Sequence, residues 1–300
     1  MNEPIKTCGF IALLGAPNAG KSTLLNNLIG QKISIVTQKV QTTRARIRGI
    51  CMEGNAQLVF IDTPGIFQPK RRLDRAMVSA AWGGAGEADV IAVLVDAERG
   101  IDGNTKRILD GLQKSNRKAV LIVNKIDLVK KQDLLNLTKD LAETNLFTEV
   151  FMVSALTGDG VADLRTYFAS NAPTGPWMYP EDQLSDVSER LIAAEITREK
   201  LFLRVHQELP YAATVETVNW YHKKDGSIRI DQVVFVERES QKGIVLGKGG
   251  RTIKDIGVAA REELQELFDC KVHLFIQVKV RKNWSNERQH YREMGLDFTD

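Results

Sequence analysis

The feature that most constrains this chain is an eight-residue stretch, Gly15-Ala16-Pro17-Asn18-Ala19-Gly20-Lys21-Ser22. It lies straight after an apolar run, Gly9–Leu14, and straight before a helix-forming stretch, Ser22–Ile29. The stretch fits G-x-x-x-x-G-K-[ST], a loop whose glycines let the backbone wrap close to phosphate oxygens with successive N–H groups pointing inward. The following helix adds a favourable dipole for an anion. Lys21 supplies charge to the β- and γ-phosphates, and the Ser22 hydroxyl is placed to ligate Mg²⁺. The apolar run before the loop is of the kind expected for a strand buried on both faces of a parallel sheet. Four further near-continuous apolar runs follow, Leu58–Asp62, Val90–Val95, Ala119–Val123 and Val150–Val153, with helical stretches at Asn104–Gln113, Lys131–Glu143 and Val161–Ala169. The alternation predicts a doubly wound α/β domain, with Ile47–Met52 as an antiparallel edge strand.

With 300 residues, two domains are expected. A proline-rich break, NAPTGPWMYPED at 171–182, marks a linker, and beyond it the order becomes αββααβ: a helix at Ser188–Leu209, strands at Thr214–Tyr221 and Ser227–Glu237, a short stretch Ile244–Gly250, a helix at Thr252–Phe268 and a strand at Lys271–Val280. The last dozen or so residues are polar and read as frayed. No apolar run approaches the roughly 20 residues of a membrane-spanning helix, and no secretory leader is visible at the N-terminus. Cys8, Cys51 and Cys270 form no metal-ligand pattern and read as reduced thiols of a cytosolic protein, and His206, His222, His273 and His290 are scattered. The net charge of +3 is distributed unevenly: Lys32, Lys39, Arg44, Arg46 and Arg48 form one basic cluster, and Lys70, Arg71, Arg72 and Arg75, interrupted by Asp74, form a second. Each is either a solvated face or a surface for a polyanion.

Two more motifs follow apolar strands. Asp62-Thr63-Pro64-Gly65 brings a carboxylate to a strand tip beside the cradle, where it can hold Mg²⁺, and Gly65 can offer a backbone N–H to a γ-phosphate. Asn124-Lys125-Ile126-Asp127 follows AVLIV. A buried carboxylate at Asp127 accepts the N1–H and N2 amine of guanine and penalises adenine by a few kcal/mol. Lys125 can cover the base, and Asn124 can tie this loop to the cradle. Ser154-Ala155-Leu156 comes after the last strand, where backbone N–H groups can meet the guanine carbonyl.

Together these residues resemble the translation-factor-related class of P-loop GTPases. The resemblance implies a further sensor threonine, with Thr43 of Thr42-Thr43-Arg44 as the Mg²⁺ ligand and Thr42 second to it. Many such enzymes carry a water-orienting Gln where this chain has Ile66, followed by Phe67. A slow intrinsic GTP hydrolase is therefore expected, suited to a switch. Relatives with an apolar residue at this place often use K⁺ held partly by a cradle Asn, which puts Asn18 forward as a K⁺ ligand.

In the second domain, Gly247-Lys248-Gly249-Gly250 is a G-x-x-G between helical stretches, followed by Arg251 and Lys254. Within the αββααβ order it looks like a type II KH domain, whose glycines permit close approach to a nucleic-acid backbone and whose cations neutralise phosphates. Ile244, Val245, Ile253 and Ile256 can floor a groove for unstacked bases. Trp284 and Tyr291 either stack on bases or pack. GAPNAGKS, QTTRARI, DTPGIF, NKID, SAL and GIVLGKGGRTIKDIG closely resemble bacterial Era GTPases over residues 8–285. That resemblance implies an α/β GTP-binding domain (1–172), a linker (173–187), a type II KH RNA-binding domain (188–285) and a tail (286–300). It implies GTP/GDP and Mg²⁺ as ligands, binding to the single-stranded 3′ end of 16S rRNA, and a role in assembly of the 30S subunit. It also implies a cytoplasmic protein with peripheral contact to the inner membrane, although no amphipathic anchor is visible, and a monomer is expected. The rival readings are an RNA-binding scaffold with a vestigial nucleotide site, a GTPase of tRNA modification, which would need a reactive Cys that Cys270 does not supply, and a P-loop kinase, which NKID disfavours.

Overall fold

The computed structural model describes residues 5–37, 39, 42–205 and 209–298. Gln41 and His206 lie outside them, as does the stretch 206–208 near the end of the expected Ser188–Leu209 helix. The chain falls into two compact units, one built from the chain up to Asp186 with Arg292–Asp300, the other from Val187–Tyr291.

The first unit runs β1 (Thr7–Gly15), α1 (Lys21–Ile29), β2 (Ile47–Glu53), β3 (Ala56–Asp62), α2 (Arg72–Glu87), β4 (Val90–Asp96), α3 (Gly103–Ser115), β5 (Ala119–Asn124), α4 (Lys131–Ala142), β6 (Phe147–Val153) and α5 (Val161–Ser170). Its six-stranded sheet has the order β2-β3-β1-β4-β5-β6, parallel throughout except for β2. Every residue of β3 and β5 is buried, as their unbroken apolar runs require of strands covered on both faces. The strand order turns at β1, which is flanked by β3 and β4, and in such sheets ligands bind beyond the carboxyl ends of the strands at this switch point. The loops after β1, β3 and β5, which carry the three motifs, all leave from that edge.

Helix α2 has no counterpart in the sequence reading. It carries Gly83, Gly84 and Gly86, and glycine costs a helix about 1 kcal/mol each relative to alanine, so local propensity is poor. Packing overrides it. Leu73, Ala76, Met77, Ala80, Ala81 and Ala85 are buried, and a Cβ on Gly83 would lie 2.3 Å from the Arg46 guanidinium. The glycines let Arg46 run along the helix and donate from Nε to the Ala80 carbonyl at 2.9 Å.

The proline-rich stretch is no free tether. Cys8 N–H donates to Pro173 O at 3.0 Å, and the wholly buried Gln57 of β3 accepts at Oε1 from the N–H groups of Met178 (2.8 Å) and Tyr179 (3.0 Å) and donates to Tyr179 O. Further along, Ile50 N–H donates to Leu184 O, Ser185 Oγ to Arg48 O, and Arg48 pairs with Asp186 at 2.9 Å. This segment thereby covers the β2 edge of the sheet.

The second unit runs α6 (Glu189–Arg204), β7 (Ala213–His222), β8 (Ile228–Val236), α7 (Glu239–Leu246), α8 (Arg251–Phe268) and β9 (Val272–Val280). Strand β8 is central, antiparallel to β7 and parallel to β9. Its core includes Ala194, Leu201, Val234, Val236, Val245 and Ile256. Val245 and Ile256 are thus core side chains rather than the floor of a groove, whereas Ile244 is 53% exposed. The polar C-terminal residues are not frayed through their length. Trp284 and Tyr291 are fully buried, Trp284 Nε1 donates to Ala212 O at 3.0 Å, Tyr291 donates to Ser285 O at 2.9 Å, and Leu296 is buried. Their apolar anchors are spaced too widely among polar residues to show a periodicity, and their burial leaves no room for stacking on bases.

Candidate nucleotide site and G-x-x-G loop

Residues Gly15 to Ser22 wrap around the tip of β1 into α1. Gly20 caps α1 with φ 97°, and a Cβ there would lie 2.1 Å from Asn124 Nδ2, so both backbone and space require glycine. Asn18 also adopts a positive φ of 65°. Lys21 is buried, and its ammonium donates to Gly15 O (3.2 Å) and Ala16 O (3.1 Å). Burial pulls its pKa down to about 8, with the Asp62 carboxylate pulling the other way.

Asp62, at the tip of β3, is wholly buried and gathers hydroxyls from three segments. Its Oδ2 accepts from Ser22 Oγ (2.7 Å), Ser34 Oγ (3.0 Å) and Thr43 Oγ1 (3.3 Å), while Ser22 and Thr43 lie 2.8 Å apart. Desolvation raises the Asp62 pKa, opposed by Lys21 and these hydroxyls. Its Oδ1 is buried with no hydrogen-bond partner among the described residues. Thr42 instead turns to Thr37 Oγ1 and Lys39 O, both at 2.6 Å. The structure therefore brings Thr43, and not Thr42, to the carboxylate. Ser34 was missed in the sequence: a serine twelve residues beyond the cradle, with no motif around it, gives no signal.

In the next residues Thr63 donates to Leu13 O at 2.7 Å, and Ile66 N–H donates to Gly15 O at 3.0 Å. A Cβ on Gly65 would lie 2.9 Å from the Pro17 backbone, so Pro64-Gly65 passes directly against the cradle. The Ile66 side chain is buried in the hydrophobic core.

Asn124 joins three loops. Its Nδ2 donates to Ala19 O of the cradle (2.8 Å), and its Oδ1 accepts from the Ala155 N–H (2.9 Å). Lys125, with φ 66°, pairs with the buried Asp96 at 2.5 Å. Asp127 sits in a short 3-10 turn, Ile126–Leu128, and is exposed, not buried as the guanine argument supposed. The Ser154 N–H donates to Asp159 O and the Ala155 N–H to Asn124. An incoming carbonyl must therefore share the Ala155 N–H or use that of Leu156, which makes no bond among the described residues.

In the second unit, Gly247, Gly249 and Gly250 have φ of 71°, 62° and 76°, and a Cβ on Gly247 would lie 2.1 Å from Thr252 Oγ1. Lys248, Arg251 and Lys254 are exposed around this turn. The arrangement presents open backbone flanked by cations, able to take an anionic strand.

Fold and site define a P-loop GTPase domain followed by a KH domain. Residues 10–125 match the family model described as 50S ribosome-binding GTPase, and residues 208–285 match the KH domain. The chain is similar to GTPase Era of Rhizobium meliloti, 59% identical over 290 residues covering 97% of this chain and 93% of that protein. It is similar also to GTPase Era of Dinoroseobacter shibae, 60% identical over 295 residues covering 97% and 96%. Two solved structures share the whole fold at 35% identity: Era in complex with MgGDPNP and nucleotides 1506–1542 of 16S ribosomal RNA (TM-score 0.92, covering 97% of this chain and 99% of that one), and an Aquifex aeolicus Era variant bound to GDP·AlF4⁻ (TM-score 0.91, covering 96% and 99%). The chain belongs to the Era GTPase family, and it binds guanine nucleotides and hydrolyses GTP.

Proposed function

We propose that this chain is a slow GTP-hydrolysing switch that grips the single-stranded 3′ end of 16S rRNA in its GTP state and acts in assembly of the 30S subunit. The observation that supports it most is the presence on one chain of a complete nucleotide cradle, joined through Asn124 to both base loops, and an open G-x-x-G turn ringed by Lys248, Arg251 and Lys254. The Era relative solved with nucleotides 1506–1542 of 16S ribosomal RNA adds weight. The working division is a GTP-binding domain over 1–172, a linker over 173–187, a KH domain over 188–285 and a tail over 286–300.

In this reading Gly15–Ser22 cradle the phosphates and Lys21 neutralises them. Thr63-Pro64-Gly65-Ile66 follow the γ-phosphate, Asn124–Asp127 hold the base, and Ser154–Leu156 meet its carbonyl. Ser22, Thr43 and Asp62 are the ligands offered to Mg²⁺. The fit is supported by hard oxygen donors around a carboxylate whose Oδ1 is buried and unpartnered. When bound, the ion neutralises phosphate charge. Ile66, turned into the core, offers no group to orient water, so intrinsic hydrolysis is slow. Asn18, held at positive φ in the cradle, is the K⁺ ligand: turnover should be faster in K⁺ than in Na⁺, and equal turnover removes this assignment. Any contact with the inner membrane is peripheral, since no helix among the described residues is long and apolar enough to cross it. The protein is read as a cytoplasmic monomer.

The decisive experiment measures affinity for the 3′-terminal RNA with a GTP analogue and with GDP. Tighter binding with the analogue is expected, and equal affinity refutes the coupling. Crosslinking to cellular RNA in the presence of the analogue then maps the bound segment. A purified chain that ignores guanine nucleotides would leave only the RNA-binding scaffold.

A further inference from the structure

The second basic cluster of the sequence is not absorbed by the nucleotide site. Lys70, Arg71 and Arg75 are all exposed at the start of α2, and among the described residues none of them makes an ion pair. The acid within the cluster is turned to the backbone and not to these side chains. Asp74 is buried, and its Oδ2 accepts from the backbone N–H groups of Lys70 (2.9 Å) and Arg71 (3.0 Å). Arg72 is set apart from the group, its guanidinium 4.8 Å from the Phe298 ring. Arg71 and Arg75 are four residues apart and share one side of the helix end. Arg107 of α3 extends the charge, reaching Gln68 Oε1 at 3.0 Å, two residues before Lys70.

This placement works against the helix. The first turn of α2 already carries the positive end of the dipole, where cations are unfavourable. The Asp74 carboxylate in the same turn offsets part of this through its bonds to the Lys70 and Arg71 N–H groups, and the outward cations are left to a partner. Two features select the partner. The group is rich in guanidinium forks, which match phosphate oxygens two at a time. Among the described residues between Val36 and Leu128 in the chain, no large apolar side chain is strongly exposed, so the cluster's sequence neighbours supply no membrane-inserting face.

We propose that Lys70, Arg71 and Arg75, flanked by Arg107, form a second RNA contact on the GTPase unit, binding the phosphate backbone of folded ribosomal RNA, separate from the strand held at the G-x-x-G turn. The inference rests on the RNA reading above. The contact adjoins the γ-phosphate-following loop, since Lys70 lies five residues after Gly65.

The test compares the full-length chain with the triple variant Lys70→Ala, Arg71→Ala and Arg75→Ala. Two RNAs are used: a folded transcript of the 3′-terminal region of 16S rRNA and a short unpaired oligonucleotide from its 3′ end. Each phosphate contact contributes about 0.9 to the slope of log affinity against log salt for a duplex. The slope for the folded transcript should therefore shrink by about 2–3 in the triple variant, with the oligonucleotide unchanged. A Lys248→Glu/Arg251→Glu variant should weaken both RNAs. RNA-free GTP turnover and thermal melting of the triple variant should match the parent, which excludes misfolding. An unchanged slope overturns the proposal, as does an equal loss on both RNAs. Loss of binding to phosphatidylglycerol vesicles with RNA binding intact reassigns the cluster to a lipid surface and overturns it too. If the parent chain binds neither RNA, the reading of function falls first and this one with it.

Discussion

Asn124→Ala tests the claim that one buried amide holds the nucleotide site together. The side chain is 1% exposed and makes two bonds to backbone in different loops, Nδ2 to Ala19 O and Oδ1 from Ala155 N–H. Truncation leaves a buried carbonyl and a buried N–H unsatisfied, each costing about 1–3 kcal/mol, so the first unit should lose about 2–6 kcal/mol. GTP affinity should fall at least tenfold, because the cradle and base loops lose their common support. The assay is urea unfolding of the full chain, with the first unit's transition identified by amide exchange in β1 and β5, together with fluorescent-nucleotide titration. Gly20→Ala supplies the internal control, since its Cβ would lie 2.1 Å from Asn124 Nδ2. Part of its cost is this clash, and the rest is the strain of φ 97°. With Asn124 already cut to alanine the clash disappears, so the double variant should cost less than the sum of the singles. A loss under about 0.5 kcal/mol for Asn124→Ala, or strict additivity in the double variant, refutes the reasoning.

Asp127→Asn exchanges an acceptor pair for one acceptor and one donor, so GTP affinity should fall by roughly 30- to 1,000-fold while xanthosine triphosphate, which presents a carbonyl in place of the amine, gains; competition binding of the two nucleotides decides it. Burial pushes the Cys51 thiol up to about 12 from 9.0. Because the unfolded thiol ionises near 9 and the folded one does not, stability attributable to this group is full below pH 9 and is lost as pH rises toward 12, by about 1.4 kcal/mol between pH 8 and pH 10. Denaturation series at both pH values should show that slope, Cys51→Ser should remove it, and at pH 8 alkylation should reach the half-buried Cys270 before the buried Cys8 and Cys51.

Much of the site was legible because its chemistry is local. The cradle, DTPG and NKID each lie within eight residues and leave buried parallel strands of one sheet, β1, β3 and β5, so their meeting at one sheet edge follows from strand direction and order. What stayed hidden depends on distance. Ser34 joins Asp62 across 28 residues without a motif. Helix α2 exists through packing against β1, Ile61 and Arg46, and its glycines conceal it from any local measure. The exposure of Asp127 and the internal use of the Ser154 and Ala155 N–H groups depend on how two loops cross, which neither loop encodes by itself. In the second unit, aliphatic spacing around the G-x-x-G turn could not separate Ile244, which faces solvent, from its neighbour Val245, which is core.

The surroundings of Asp62 explain how such a site can be both stable and switchable. A buried carboxylate alone would take up a proton, as its raised pKa shows. Three hydroxyls and the Lys21 ammonium hold the charged form at the price of ordering Ser22, Ser34 and Thr43 around one oxygen. Two of those hydroxyls are the ones that would be offered to a metal ion, so a bound cation would give them hydroxyl–cation bonds in place of hydroxyl–carboxylate bonds. The net free energy of that exchange is small compared with either set of bonds, as it is for most hydrogen bonds swapped between partners. In the proposed switch, the segment carrying Thr43 would therefore be drawn in or let go at small cost. A threonine fixed by apolar packing would lack this property, because removing it from a core costs several kcal/mol with no polar partner to replace the loss. On the proposed reading, polar attachment of Thr43, more than its mere proximity, is what would let the loop around it act as a sensor.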